Sequence, residues 1–125
     1  PEGEHTVLVV EDDLATQDLV SKQLEKEGWR VILAGNGREA LERLTKGKPD
    51  LVLLDLMMPQ MNGFEFLEVF RKHPGCAGIS VVVMTAKILT DSDRQRLRGQ
   101  VAYIVEKALM TPENLVVDIR KALQR

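Results

Sequence analysis

Five short apolar runs, rich in β-branched residues, set the terms on which this 125-residue chain can fold: "TVLVV" (6–10), "WRVILA" (29–34), "LVLLD" (51–55), "ISVVVMT" (79–85) and "VAYIV" (101–105). Continuous apolar runs of this length suit strands covered on both faces. Between them stand segments with helical spacing. Leu14, Leu19, Val20 and Leu24 recur in this way ahead of Gly28, which stands where a left-handed cap closes a helix. In "REALERL" (38–44), Ala40, Leu41 and Leu44 share one side; "GFEFLEVFRK" (63–72) and the strongly charged "DSDRQRLRG" (91–99) supply two more helices. Thr111-Pro112-Glu113 opens the last one as cap plus first-turn proline, with Leu115, Val116, Ile119 and Leu123 as its core stripe. Strands and helices that alternate in this way predict an α/β domain, a parallel sheet with helices on both faces.

Right-handed crossovers in such a sheet carry the C-terminal end of every strand to one edge, where open α/β sheets hold their sites. That edge should gather residues far apart in sequence. Glu11, Asp12 and Asp13 follow the first run, Asp55 closes the third, Thr85 closes the fourth and Lys107 follows the fifth. A carboxylate at the end of a buried strand is costly to desolvate, so Asp55 requires a partner or a use. Several carboxylates in one place repel and hold protons unless a cation lies between them, and an all-oxygen ligand set suits Mg²⁺. The Thr85 hydroxyl and Lys107 ammonium add a donor and a positive charge, which favours a tetrahedral dianion over an apolar substrate.

Composition narrows the classes. At 14.0 kDa the chain can bury a core of its own, and 44% hydrophobic with 29% charged residues argues against disorder. No run approaches the roughly 20 apolar residues of a membrane span, so no membrane partner is expected. The single Cys76 allows no internal disulfide, and no secretion signal is evident, so a cytoplasmic location is expected. A net charge of −2 gives no electrostatic reason for direct nucleic-acid binding.

In "VLVVEDD", "LVLLDLMMPQMNG", "VVVMTA" and Lys107, taken in that order and spacing, the chain resembles the receiver domain of two-component response regulators over essentially its full length. The resemblance implies one receiver domain, 1–125, with a flavodoxin-like (βα)5 three-layer sandwich of strand order 2-1-3-4-5. It implies that Asp55 is the phosphoacceptor, taking a phosphoryl group from a histidine kinase or histidine phosphotransfer protein. Mg²⁺ (or Mn²⁺) would be held by Glu11, Asp12, Asp55 and the Met57 backbone carbonyl, with Pro59 and Gly63 shaping that loop. Thr85, the Ala86 N–H and Lys107 would take the phosphoryl oxygens. Such a protein is a switch more than an enzyme, catalysing its own phosphorylation and slow dephosphorylation. Its output surface, and the face of any homodimer, would be the fourth helix, fifth strand and fifth helix.

Two positions depart from the family pattern. Ala108 stands where a proline usually follows the lysine, so the cis peptide of that turn is expected to be missing. Ile104 stands where the switching aromatic belongs, and Tyr103 should face the other side of the sheet.

Other readings compete at several positions. "GNGREA" (35–40) fits a dinucleotide fingerprint, with Asp55 where a ribose-binding acid would fall, but that fold needs the second and third strands adjacent; a glycine-rich turn is the simpler reading. A haloacid-dehalogenase-like phosphohydrolase would want an acid where Met57 stands. A degenerate receiver acting as a phosphorylation-independent interaction module is the alternative from another class. Met57, Met58 and Met61 read as loop packing, Trp29 as half-buried sheet packing, His5 and His73 as solvated, and Cys76 as inert. The charged fourth helix reads as a solvated face. Helix capping would explain one of the three consecutive acids. Whether the chain stands alone or belongs to a hybrid kinase or longer regulator is left open.

Overall fold

The computed structural model describes residues 5–124. Along the chain these form β1 (Thr6–Val10), α1 (Leu14–Lys26), β2 (Arg30–Ala34), α2 (Gly37–Leu44), β3 (Leu51–Leu54), α3 (Gly63–Lys72), β4 (Ser80–Thr85), α4 (Asp91–Leu97), β5 (Tyr103–Glu106) and α5 (Pro112–Leu123). A 3-10 turn, Lys107–Leu109, links β5 to α5. All strands are parallel in the order β2-β1-β3-β4-β5. Because β1 lies between β2 and β3, the adjacency that a dinucleotide fold requires is absent.

Strand pleating divides the core into two layers. Leu8, Val10, Val52, Leu54, Val81 and Val83 face one side and pack with Ala40 and Leu44 of α2, Phe66 and Phe70 of α3 and Leu97 of α4. Val7, Val9, Leu51, Leu53, Val82 and Met84 face the other, against Val20 and Leu24 of α1 and Leu115, Val116, Ile119 and Ala122 of α5. Successive strand residues point to opposite faces, so a strand buried on both faces must be apolar throughout.

That rule holds for the three inner strands and fails at the edges. Most of β2 and β5 is only partly buried, and Arg30, Leu33 and Glu106 are exposed, because the helices cover the middle of the sheet and not its rims. Leu14 and Leu19 are exposed too, leaving Val20 and Leu24 to anchor α1. In α5 the buried stripe ends on Ala122, with Leu123 partly buried. Trp29 is buried, not half-buried: it precedes β2 and packs in the α1–α5 layer with the Arg120 guanidinium near its ring. The fifth strand begins at Tyr103 and not at 101, and the fourth helix stops at Leu97.

Each helix opens on a side-chain cap: Asp13, Asn36, Asn62, Thr90 and Thr111 accept from backbone N–H groups of the first turn. Gly28 has φ of 86°, the left-handed conformation expected after α1. The "GNGREA" turn is filled by its own residues: Glu39 Oε1 accepts the Gly35 N–H, Asn36 caps α2, and Gly37 abuts Met61.

Two features fix the loops around the C-terminal edge. Arg71 of α3 donates to the carbonyls of Cys76, Ala77 and Ile79, and also to that of Gln100 beyond α4. Gly63 begins α3 against the end of β3, where an added Cβ would lie 2.6 Å from both the Asp55 carbonyl oxygen and Leu56 Cα. Neither backbone atom can yield cheaply. Gly63→Ala is therefore expected to cost about 1–3 kcal/mol of unfolding free energy. Gly78→Ala, which meets open space, should stay within about 0.5 kcal/mol. Urea unfolding of the two variants beside the parent checks this, and equal midpoints would refute it.

Candidate functional site

The parallel topology sets the ends of β1, β3, β4 and β5 side by side, and the chemistry-bearing residues lie there. Val10 pairs with Leu54, Leu54 with Val83, and Thr85 with Glu106, so Glu11, Asp55, Thr85 and Lys107 leave neighbouring strands at one edge. Carboxylate oxygens of Glu11, Asp12 and Asp55 lie within 4.8 Å of one another. Glu11 and Asp55 are enclosed, whereas Asp12 is exposed. Asp13 stands apart from this cluster as the α1 cap, its Oδ2 taking the Thr16 hydroxyl at 2.5 Å and the Thr16 N–H at 3.0 Å, and these two bonds lower its pKa.

Lys107 answers the desolvation of the two buried acids. Its Nζ lies 2.6 Å from Glu11 Oε1 and 3.2 Å from Asp55 Oδ2. The Asp55 contact is a hydrogen bond. The Glu11 contact is the closer ion pair, and among the described residues Oε1 has no hydrogen-bond donor besides it. Its partner Oε2 accepts the Asp13 N–H at 3.0 Å. Burial pushes the Glu11 carboxyl up to about 7, against the opposing pull of Lys107 and the Asp13 N–H, and nearby Asp55 raises it further. Burial also works against the Lys107 ammonium, but Glu11 and Asp55 together outweigh it and raise its pKa.

The remaining expected residues occupy the surrounding loops. The Met57 N–H donates to Asp55 Oδ1 at 3.1 Å, and Met57 lines one cleft with Asp12, Leu56, Met58, Pro59, Asn62, Phe64 and Lys87. Met57 itself is 54% exposed, so only Met58 and Met61 pack against the core as expected. Between Pro59 and Met61, Gln60 takes φ of 66° while the Met61 N–H bonds the Pro59 carbonyl at 2.8 Å, a tight three-residue turn. Thr85 is 1% exposed, and its Oγ1 accepts the Lys87 N–H at 3.0 Å; Ala86 between them is exposed.

The described residues contain no cis peptide, and Lys107 begins the 3-10 turn directly. Ile104 packs into the layer of α2–α4 and Tyr103 into that of α1 and α5, the opposite faces expected of them. His5 and His73 are partly buried, and His73 Nδ1 lies 3.7 Å from the Cys76 sulfur. Cys76 is fully buried, and burial pushes its thiol upward, the character of an unreactive thiol.

Sequence reasoning missed Lys87. Its Nζ pairs with Asp93 Oδ2 at 3.1 Å, linking the loop after β4 to α4. The legible signal was a lysine two residues past Thr85, ahead of a T-x-x-D capping box whose acid it could meet.

An all-oxygen donor set of two enclosed carboxylates and one exposed one fits a hard divalent cation. No described helix is long and apolar enough to cross a membrane.

Comparisons with known proteins agree with this geometry. The response regulator receiver domain family matches over residues 7–120. The probable transcriptional regulatory protein TcrX of Mycobacterium tuberculosis is 34% identical over 96% of this chain and 50% of its own length. The DNA-binding response regulator MtrA of the same species is 36% identical over 95% and 50%. This chain thus spans about half the length of these curated relatives. Among solved structures, the Vibrio cholerae chemotaxis protein CheY4 superposes with a TM-score of 0.87 at 27% identity, covering 95% of this chain and 98% of that one. The response regulator TrrA of Thermotoga maritima, in complex with Mg²⁺-BeF, gives 0.82 at 29%, covering 94% and 98%. The family match over residues 7–120 and the identity to these relatives together show that the chain is a member of the response regulator receiver domain family.

Proposed function

We propose that residues 1–125 act as a single receiver domain that accepts a phosphoryl group on Asp55 from a phosphohistidine donor, a histidine kinase or histidine phosphotransfer protein. The observation that carries this reading is the enclosed Asp55 at the end of β3, bonded by Lys107 and gathered with Glu11 and Asp12. An Asp55 oxygen forms the new O–P bond while the P–N bond to the donor imidazole breaks, and the product is an aspartyl phosphate. Phosphoryl transfer asks chiefly for alignment and charge neutralisation. The Met57 N–H orients the acceptor carboxylate, and Lys107, already at Asp55 Oδ2, is positioned to pair with the incoming oxygens. Thr85 and the Ala86 N–H are assigned the other phosphoryl oxygens.

Mg²⁺ or Mn²⁺ would be held by Glu11, Asp12, Asp55 and the Met57 carbonyl, and when bound it supplies positive charge beside the reacting oxygens. The Mg²⁺-BeF complex of TrrA supports a divalent ion in a receiver of this fold. Phosphorylation adds roughly 1.5 to 2 negative charges, enough to draw the Thr85 hydroxyl off the Lys87 N–H and move the loop after β4. The face built from α4, β5 and α5 is the proposed output surface, and any homodimer would form there. The presence of every site residue disfavours a degenerate interaction module, and Met57 in place of a second acid disfavours a phosphohydrolase.

With acetyl phosphate and Mg²⁺, intact-mass analysis is expected to show one added phosphoryl group on the parent protein and none on Asp55→Asn. Label persisting in that variant would undo the acceptor assignment, and an unlabelled parent would favour the interaction module.

The raised Glu11 carboxyl gives a pH signature. Its folded value of about 7 exceeds the ordinary 4.5, so between those values the folded protein keeps a proton that the unfolded chain has released. That stabilising contribution is full below about 4.5 and is lost as pH rises through about 7. A cation must displace the same proton. The apparent Mg²⁺ dissociation constant should therefore rise about tenfold per unit as pH falls below about 7, and level off above it. Titration calorimetry of the parent and Glu11→Gln checks this: the variant should bind more weakly and lose the slope, and an unchanged slope would remove Glu11 from the site.

A further inference from the structure

α4 is held to the body of the protein by very little apolar contact. Of its residues Asp91–Leu97, Leu97 alone is buried, and the rest of the charged segment faces solvent apart from the partly buried Asp93. Two polar attachments supplement Leu97. Near its C-terminal end the Arg96 guanidinium lies over the Phe64 ring of α3 at 4.2 Å and meets Glu68 at 3.3 Å. At its start, Lys87 Nζ meets Asp93 Oδ2 at 3.1 Å.

The second attachment is tied to the acceptor site by the same residue. The Lys87 backbone N–H bonds the buried Thr85 hydroxyl, and its side chain lines the cleft that holds Asp12 and Met57. Asp93 is equally committed: only 13% of its side chain is exposed, and Oδ2 also accepts the Thr90 N–H at 3.0 Å, closing the α4 capping box. An unbroken series of contacts thus runs from Thr85 through Lys87 to Asp93 and the α4 cap.

We infer that Lys87 is the positioning residue that couples Asp55 to α4, holding Asp93 in the unphosphorylated protein and releasing it when the phosphoryl group is present. This rests on Asp55 being the acceptor. The exchange begins at Thr85. A Thr85 hydroxyl turned toward phosphoryl oxygens breaks its bond to the Lys87 N–H, which frees the loop. Movement of that loop carries the Lys87 ammonium off the Asp93 carboxylate. Ile104 fills the position beside β4 with an aliphatic side chain lacking any polar group, so a link through a side-chain hydroxyl there is not available, whereas the Lys87–Asp93 pair is in place.

Hydrogen exchange of the α4 amides, with intact mass run on the same samples, tests the coupling. Acetyl phosphate with Mg²⁺ should raise α4 exchange in the parent. Asp93→Asn keeps an acceptor for the Thr90 N–H but loses the charge, and it should raise α4 exchange about two- to fivefold before any phosphorylation. Lys87→Met should take up the Asp55 label yet show α4 exchange already high and little changed by it, with Lys87→Arg restoring the response. A labelled Lys87→Met whose α4 responds as the parent's does would overturn the coupling while leaving the acceptor intact. A parent that takes no label would instead sink the acceptor reading and the coupling with it. If Lys87→Met does not fold, Asp93→Asn decides alone, and unaltered α4 exchange in it, before and after labelling, refutes the proposal.

Discussion

The arrangement depends on how two buried carboxylates are tolerated at the end of a parallel sheet. Glu11 and Asp55 lie where two inner strands end, largely removed from water, and one ammonium group reaches both. Breaking such a buried pair is costly because the survivor is left as an uncompensated charge. The compensation here is incomplete, however: one ammonium serves both carboxylates, and burial pushes the Glu11 carboxyl up to about 7. The fold thus carries an unrelieved electrostatic demand at one place on its surface. A divalent ion is the group that can answer it, and with that charge supplied Lys107 would be free to pair with a transferred phosphoryl group.

Supporting structure exists to hold those few atoms still. The inner strands are apolar on both faces because helices cover both, and that covering makes the strand ends rigid. Gly63 lets α3 start in contact with the Asp55 backbone, and Asn62 with Glu65 closes that helix start. On the far side, Asp13 spends its carboxylate on capping α1, which explains why one of three consecutive acids is not part of the cluster. Helix capping thus takes Asp13, and geometry leaves Glu11, Asp12 and Asp55 as the acids that could hold an ion.

Much of this was legible in the sequence, for identifiable reasons. Apolar runs without alternation gave the inner strands, caps and glycines gave the helix ends, and the crossover rule gathered Glu11, Asp12, Asp55, Thr85 and Lys107 at one edge. What periodicity could not reveal was coverage. Leu14, Leu19 and Leu33 have core-like chemistry but lie beyond the reach of a covering element, while Trp29, placed by its neighbours as half-exposed, is enclosed by α1 and α5. Long-range polar contacts were equally hidden. Neither the Lys87–Asp93 pair nor the four carbonyls gathered by Arg71 follows from local spacing, since each is set by how loops meet after the sheet has formed.

The Arg71 contacts carry a mechanical consequence. By holding the Gln100 carbonyl just past α4, next to the buried Leu97, they pin the helix at its C-terminal end, whereas its N-terminal end is fastened by a side-chain ion pair and a cap. A rod fixed at one end and lightly tethered at the other has a hinge, and its displacement grows with distance from the pivot. Residues 91–93 would travel farthest and Leu97 least, so a small rearrangement beside Thr85 would be levered into a tilt of the whole exposed face.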